Sequence, residues 1–187
     1  MSLIPAFKIG IWNAWILTIF LPLHPLTMML IVKDVMKKMK SPTYGQTERV
    51  VFLCETAIFF GLFIYSIFLP LKLGTVWFYI GLALSILGLL TWTTAMLNIR
   101  NIPVGEAWTK GLYRYSRHPM GLSLFLIFIG AGIASASWLF LLLSIVGTIM
   151  SSVSLTAEER FCLERYGDVY RKYMERTPKW IGMPKAD

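Results

Sequence analysis

Charge is scarce in this sequence: 15% of its 187 residues are Asp, Glu, Lys or Arg, against 56% hydrophobic. A soluble domain carries about 25% charged residues, so this composition excludes an ordinary soluble fold and points to a chain solvated by lipid. Cysteine and histidine are scarcer still. Cys54 and Cys162 form no C-x-x-C, and His24 and His118 are far apart in the chain, so neither a disulfide nor a metal site is expected. Acidic residues are few, 10 against 18 Lys and Arg, giving a net charge of +8. The basic residues are dispersed between apolar runs rather than gathered on one soluble face. The partner they imply is the lipid bilayer, not nucleic acid.

The apolar runs predict an all-α, polytopic membrane protein, one membrane domain over residues 1–187 with five spans. They fall at about 9–32, 50–69, 75–97, 119–134 and 138–155, with cytosolic helices over about 156–176. Pro22 and Pro25 should kink the first span or split it, because each removes a backbone donor. Ser41-Pro42 and Gly45 mark a turn in the basic loop that follows. Gly81-x-x-x-Ser85 offers a small face for close packing in the third span. Ser135-Ala136-Ser137 leaves room only for a tight hairpin between the fourth and fifth. In the fifth, Ser144, Gly147, Thr148, Ser151 and Ser152 recur at helical spacing, a stripe suited to close approach and to hydroxyl bonds across helices. With five spans, 16 of the 18 Lys and Arg fall on one side, Lys8 and Lys72 being the exceptions. The positive-inside rule makes that side cytosolic, with the N-terminus outside and the C-terminus inside, in a cell membrane or endoplasmic reticulum.

Polar chemistry concentrates between Gly111 and Gly121, G-L-Y-R-Y-S-R-H-P-M-G. His118 reads as a helix N-cap and Pro119 as the first helical residue. Free N–H groups and the positive end of that helix would lie beside Arg114, Arg117 and His118, a site for an anionic group. Arg117 is the candidate catalytic residue. The alternative is that both arginines only reach lipid phosphates. After the fifth span, Cys162, Tyr166, Val169, Tyr170 and Tyr173 share one face of an amphipathic segment that Gly167-Asp168 divides into two helices. Glu158-Glu159 sits just beyond the last apolar residue of the span, where a carboxylate near the bilayer needs a partner. A salt bridge to Arg114 or Arg117 would be one.

The run T-x-G-x-Y-x-x-x-R-H-P-M from Thr109 to Met120, two closely linked spans, and then E-E-R-x-x-x-x-R-Y-G-x-x-Y from Glu158 to Tyr170 together carry a resemblance. They resemble the membrane methyltransferase family that contains isoprenylcysteine carboxyl methyltransferases and phospholipid methyltransferases. The likeness covers about the C-terminal 80 residues. It implies S-adenosylmethionine bound on the cytosolic side, with Tyr113, His118, Pro119, Met120, Gly121 and Glu158 contributing. Residue chemistry is compatible with this. The helix start and His118 suit the cofactor's carboxylate, Glu158 its α-ammonium, and Trp108 or Tyr113 its adenine. An activated methyl group needs an acceptor held in line rather than a nucleophilic side chain, so the lack of a catalytic triad is no objection.

Two positions depart from the family pattern. Gly121 stands where members usually carry tyrosine, which opens a gap in the cofactor wall. Ser154 stands where prenylcysteine enzymes carry an arginine for the substrate carboxylate, a charge-assisted contact worth about 1.5–3 kcal/mol. The acceptor expected is lipophilic or membrane-embedded, a prenylated-cysteine carboxylate or a lipid among the options. A nicotinamide-dependent membrane reductase and a non-catalytic membrane adaptor are the other readings. The glutamate pair weighs against the reductase, since a polyphosphate dinucleotide calls for more arginines and a Gly-rich loop.

Overall fold

The computed structural model describes residues 7–32, 34–38 and 42–184. Lys33, Lys40 and Ser41 of the first basic loop, and Lys185 of the tail, lie outside them. The described residues form helices α1 (Trp15–Thr18), α2 (Phe20–Ile31), α3 (Val35–Lys38), α4 (Gln46–Ile67), α5 (Val76–Arg100), α6 (Pro119–Ala134), α7 (Trp138–Tyr166) and α8 (Asp168–Arg176). A short 3-10 turn covers Gly111–Arg114. Among the described residues there is no strand, only an isolated bridge between Asn13 and Pro70.

Three helices, α4, α5 and α7, are long and apolar enough to cross a membrane. Their outer faces carry side chains such as Phe60, Leu90 and Ile149, each more than 60% exposed, as helices surrounded by hydrocarbon do. Helix length shows three of the five expected spans, and the other two fall short of it at two places. The run over 9–32 is not one helix: residues 10–14 are not helical, and Ala14 N–H and Leu71 N–H bond the carbonyls of Leu69 and Trp12. The helix then breaks at Ile19, between α1 and α2. Pro22 explains the break, because its ring displaces the bond that would reach the carbonyl of Thr18, the last residue of α1. The second place is α6, whose 16 residues reach only about 24 Å.

Helix α5 packs most closely on α6. A Cβ at Gly81 would fall on backbone atoms of Gly130 and Ala134, and one at Gly130 would lie 2.8 Å from Ser85 N. The Gly81–Ser85 face is thus the seam along which the two backbones meet. The hairpin at 135–137 is as tight as its length requires, with Ser137 N–H bonded to the Gly132 carbonyl and Ala136 at positive φ. In the small stripe of α7, Gly147 admits Phe59 and Ile58 of α4, at 3.1 and 3.2 Å from a would-be Cβ. The hydroxyls bond mainly within their own helix, although Ser151 also lies beside Glu55 of α4. Ser144, Thr148 and Ser151 each bond the carbonyl four residues back in α7, an intrahelical partner always within reach.

Helix α7 does not stop at residue 155. It runs on to Tyr166 and ends at Gly167, whose φ of +55° suits glycine. The first of the two expected cytosolic helices is therefore the continuation of the fifth span. In α8, Tyr170 and Tyr173 are buried as the pattern indicated, but Val169 is 66% exposed.

Charged contacts gather at one end of the bundle. Arg160 of α7 grips Glu48 of α4 with two bonds of 2.7 and 2.8 Å. Lys38 donates to the carbonyls of Ile99 and Arg100, placing a cation on the C-terminal end of α5. The start of α6 belongs to this same end.

Candidate active site

The Gly111–Gly121 stretch is held in place from three directions. Gly111, at φ +64°, lies so close to Asn98 that no side chain fits, and Leu112 N–H donates to Asn98 Oδ1 at 2.7 Å. Tyr173 of α8 donates its hydroxyl to the Tyr113 carbonyl at 2.7 Å. The tail crosses the loop, with Arg117 N–H on the Pro178 carbonyl and Gly182 N–H on the Tyr115 carbonyl, both at 3.0 Å. Lys179 reaches back to α7, donating to the Ser152 carbonyl and to Thr156 Oγ1.

His118 occupies the N-cap position and Pro119 begins α6, but the imidazole makes no cap bond. It turns to α7, where His118 Nε2 lies 2.9 Å from Glu159 Oε1. The His118 N–H instead bonds Ser116 Oγ at 3.1 Å. Arg117 Nε approaches the same Glu159 oxygen at 3.3 Å, close enough for an ion pair though not aligned as a hydrogen bond. The salt bridge considered for the glutamate pair therefore forms with Arg117 and belongs to Glu159, while Arg114 stays exposed.

Glu158 is placed differently. Its side chain is 48% exposed, 3.9 Å from His118 Nδ1, and it lines a cavity of about 150 Å³ between α4, α6 and α7. Gly121, Ser154 and Trp180 also face this cavity, and from α4 and its approach come Tyr44, Glu55 and Phe59. Trp180 Cζ3 lies 4.0 Å from where a Gly121 Cβ would be, so the indole borders the gap that the sequence left at Gly121.

The other site candidates from the sequence do not line this cavity. Arg117 pairs through Nε with Glu159 and does not line the cavity. Tyr113 is buried with Met28, Trp92, Met96 and Ile99, and Trp108 and Met120 pack against that cluster. Tyr113 has no open ring face to offer adenine, because its aromatic surface fills the core. Its hydroxyl is pushed well above the usual tyrosine range, chiefly by burial and then by Tyr173 and Glu158, so it feels the Glu158 charge. Burial, followed by Glu158, Glu55 and Glu48, pushes the Tyr44 hydroxyl up to about 12. It stays protonated and can donate a hydrogen bond at neutral pH.

Sequence reasoning missed Glu55, Tyr44 and Trp180. Glu55 carried a signal, being the lone charged residue in the run from Val50 to Leu69. Tyr44 and Trp180 carried none, since only the folded chain brings them to the cavity.

The phospholipid methyltransferase family profile matches residues 73–169, just over half of the chain. The chain belongs to the phospholipid methyltransferase family. The matched segment runs from just before α5 to the start of α8, so it holds His118, Gly121, Ser154 and both glutamates of the pair. It leaves out α4 and the tail, and with them Glu55, Tyr44 and Trp180. Methanethiol S-methyltransferase 1 of Bradyrhizobium diazoefficiens is 37% identical over 73 residues. Those residues are 39% of this chain and 25% of that protein, so the match spans a quarter of the relative's length.

Proposed function

We propose that this protein is an integral-membrane methyltransferase that uses S-adenosylmethionine and acts on a lipophilic acceptor entering from the bilayer. The observation that carries the reading is the division of labour in the glutamate pair. Glu159 holds Arg117 and His118, which leaves Glu158 half-exposed on the cavity without a committed cation. A carboxylate so placed fits the cofactor's α-ammonium, and the start of α6 fits its carboxylate. Trp180 is the aromatic surface on the same wall. The cavity is smaller than the ~300 Å³ at which small-molecule pockets begin, so it suits the amino-acid end of the cofactor or the reacting end of the acceptor.

S-adenosylmethionine, when bound, supplies a methyl group already activated on a sulfonium. The chain's own residues then have to bind, align and exclude water. Glu158 and the α6 start fix the cofactor's polar end, while Phe52, Phe59 and Leu124 keep the cavity wall apolar. A polyphosphate dinucleotide is disfavoured, because Glu55 and Glu158 both face the cavity and, among the described residues, no Lys or Arg does.

Purified protein with S-adenosylmethionine at about a hundred times its dissociation constant should gain about 2.7 kcal/mol of stability, seen as a raised melting temperature. Reduced nicotinamide dinucleotide should give no such shift. Stabilisation by the dinucleotide alone would reverse the assignment.

The site end is read as cytosolic, supported by the 16 of 18 basic residues that five spans would put on that side and by the contacts of Lys38 and Arg160 there. Single cysteines replacing Lys37, Lys110 and Lys179 should label from the cytosolic side, and one replacing Thr75 from the opposite side. External labelling at Lys110 would rule out a cytosolic cofactor site.

A further inference from the structure

Helix α4 carries a carboxylate that the proposed cofactor site does not use. Glu55 lies two helical turns inward from Glu48, about 10 Å along the axis. It is 8% exposed and lines the cavity, and its Oε2 has no hydrogen-bond partner. Ser154, 4% exposed on α7, lines the same cavity and turns its hydroxyl toward the Glu55 carboxylate without an aligned hydrogen bond. The neighbouring Ser151 hydroxyl is committed to the Gly147 carbonyl. Among the described residues no Lys, Arg or His lines the cavity, whose remaining walls near Glu55 include Phe52, Phe59 and Leu124. A buried, uncompensated acceptor of hydrogen bonds at this depth is costly unless a ligand completes it. The missing partner is a donor, delivered on an apolar body.

Resting on the methyltransferase reading, we propose that Glu55 is the acceptor-side catalytic residue. In its ionised form, Oε2 takes a hydrogen bond, and then the proton, from the reacting X–H group of a lipophilic acceptor, and that charge turns carboxylate acceptors away. The acceptor atom X, a sulfur, nitrogen or oxygen bearing a proton, forms the new bond to the methyl carbon through its lone pair. The donor's carbon–sulfur bond breaks, its electron pair returning to sulfur. The proton of X passes to Glu55, which becomes neutral. One positive charge on the donor and one negative charge on Glu55 are both consumed, so charge balances. Ser154 offers a second polar contact to X. A carboxylate acceptor would face Glu55 with no cation among the described wall residues to offset the repulsion.

The test uses the full chain in detergent micelles with S-adenosylmethionine and four ten-carbon acceptors of matched tail: thiol, secondary amine, alcohol and carboxylic acid. Methylation of at least one X–H acceptor, with the acid at least tenfold slower, is expected, and the first three arms identify X. In Glu55→Gln, kcat on that acceptor should fall about 10²- to 10⁴-fold. The rise in melting temperature caused by S-adenosylhomocysteine should stay as in the native protein, and Glu55→Asp should recover part of the rate. A Glu55→Gln rate within threefold of native overturns the proposal, as does loss of the S-adenosylhomocysteine shift, which would assign Glu55 to the cofactor. Equal or faster turnover of the acid overturns the selectivity. Native protein that binds S-adenosylhomocysteine but methylates none of the X–H acceptors also overturns the acceptor assignment. Absence of both binding and transfer overturns the methyltransferase reading itself. Should Glu55→Gln fail to fold, Ser154→Arg decides: a guanidinium beside Glu55 should cut X–H turnover at least tenfold, and unchanged turnover overturns the proposal.

Discussion

Replacing Glu158 by Gln should lower S-adenosylmethionine affinity roughly ten- to over a hundredfold, the loss of a charge-assisted bond of about 1.5–3 kcal/mol. The apo protein should melt where the native one does, because Glu158 is half-exposed and its nearest basic neighbour among the described residues, His118, lies 3.9 Å away. At a cofactor concentration that saturates the native protein, most of the stabilising shift should vanish. Glu159→Gln should behave in the opposite way. Its carboxylate, 9% exposed, holds both Arg117 and His118, and removing one partner of a buried pair costs about 3–5 kcal/mol. That apo protein should melt well below native, while the shift induced by the cofactor persists in whatever fraction folds. Melting curves of both variants with and without S-adenosylmethionine check the pair. An intact shift in Glu158→Gln would exclude Glu158 as the ammonium partner.

A second large stability effect should come from Gly81→Ala. The added methyl would fall on the Gly130 carbonyl and on Ala134 N, and it would lie 2.7 Å from Ala134 Cβ. Two of these are backbone atoms, so no rotamer relieves the overlap and α5 must move away from α6. Overpacking of this kind costs about 1–3 kcal/mol, and more where backbone cannot yield. Because Asn98 of α5 anchors Leu112, and α6 begins at the site, the displacement should weaken cofactor binding as well. Gly61→Ala on the exposed face of α4 is the control, since nothing lies within 4 Å of its would-be Cβ. It should be neutral, or more stable by about 0.5–1 kcal/mol from reduced backbone freedom. Equal melting temperatures for the two variants would show that the α5–α6 seam is looser than described.

Residue chemistry alone determined the features that depend on neighbours in sequence. The all-helical character, the start of α6 at Pro119, the hairpin at 135–137 and the stop at Gly167 follow from apolar runs, a proline and a glycine acting over one or two helical turns. The pairing motif around His118 and Glu158-Glu159 was legible for the same reason, and it indicated the family. Tertiary structure decided which glutamate does what. Consecutive residues on a helix point about 100° apart, so only the register of α7 against α6 turns Glu159 toward Arg117 and His118 and leaves Glu158 on the cavity. It also decided the fate of the aromatic candidates, because Tyr113 is claimed by a core built from α2 and α5, whereas Trp180 arrives from the tail through the contacts of Pro178 and Lys179. Glu55 depended on it most. A lone carboxylate in an apolar run announces itself in the sequence, but its free oxygen meets Ser154 across a cavity only when α4 and α7, about a hundred residues apart in the chain, pack side by side.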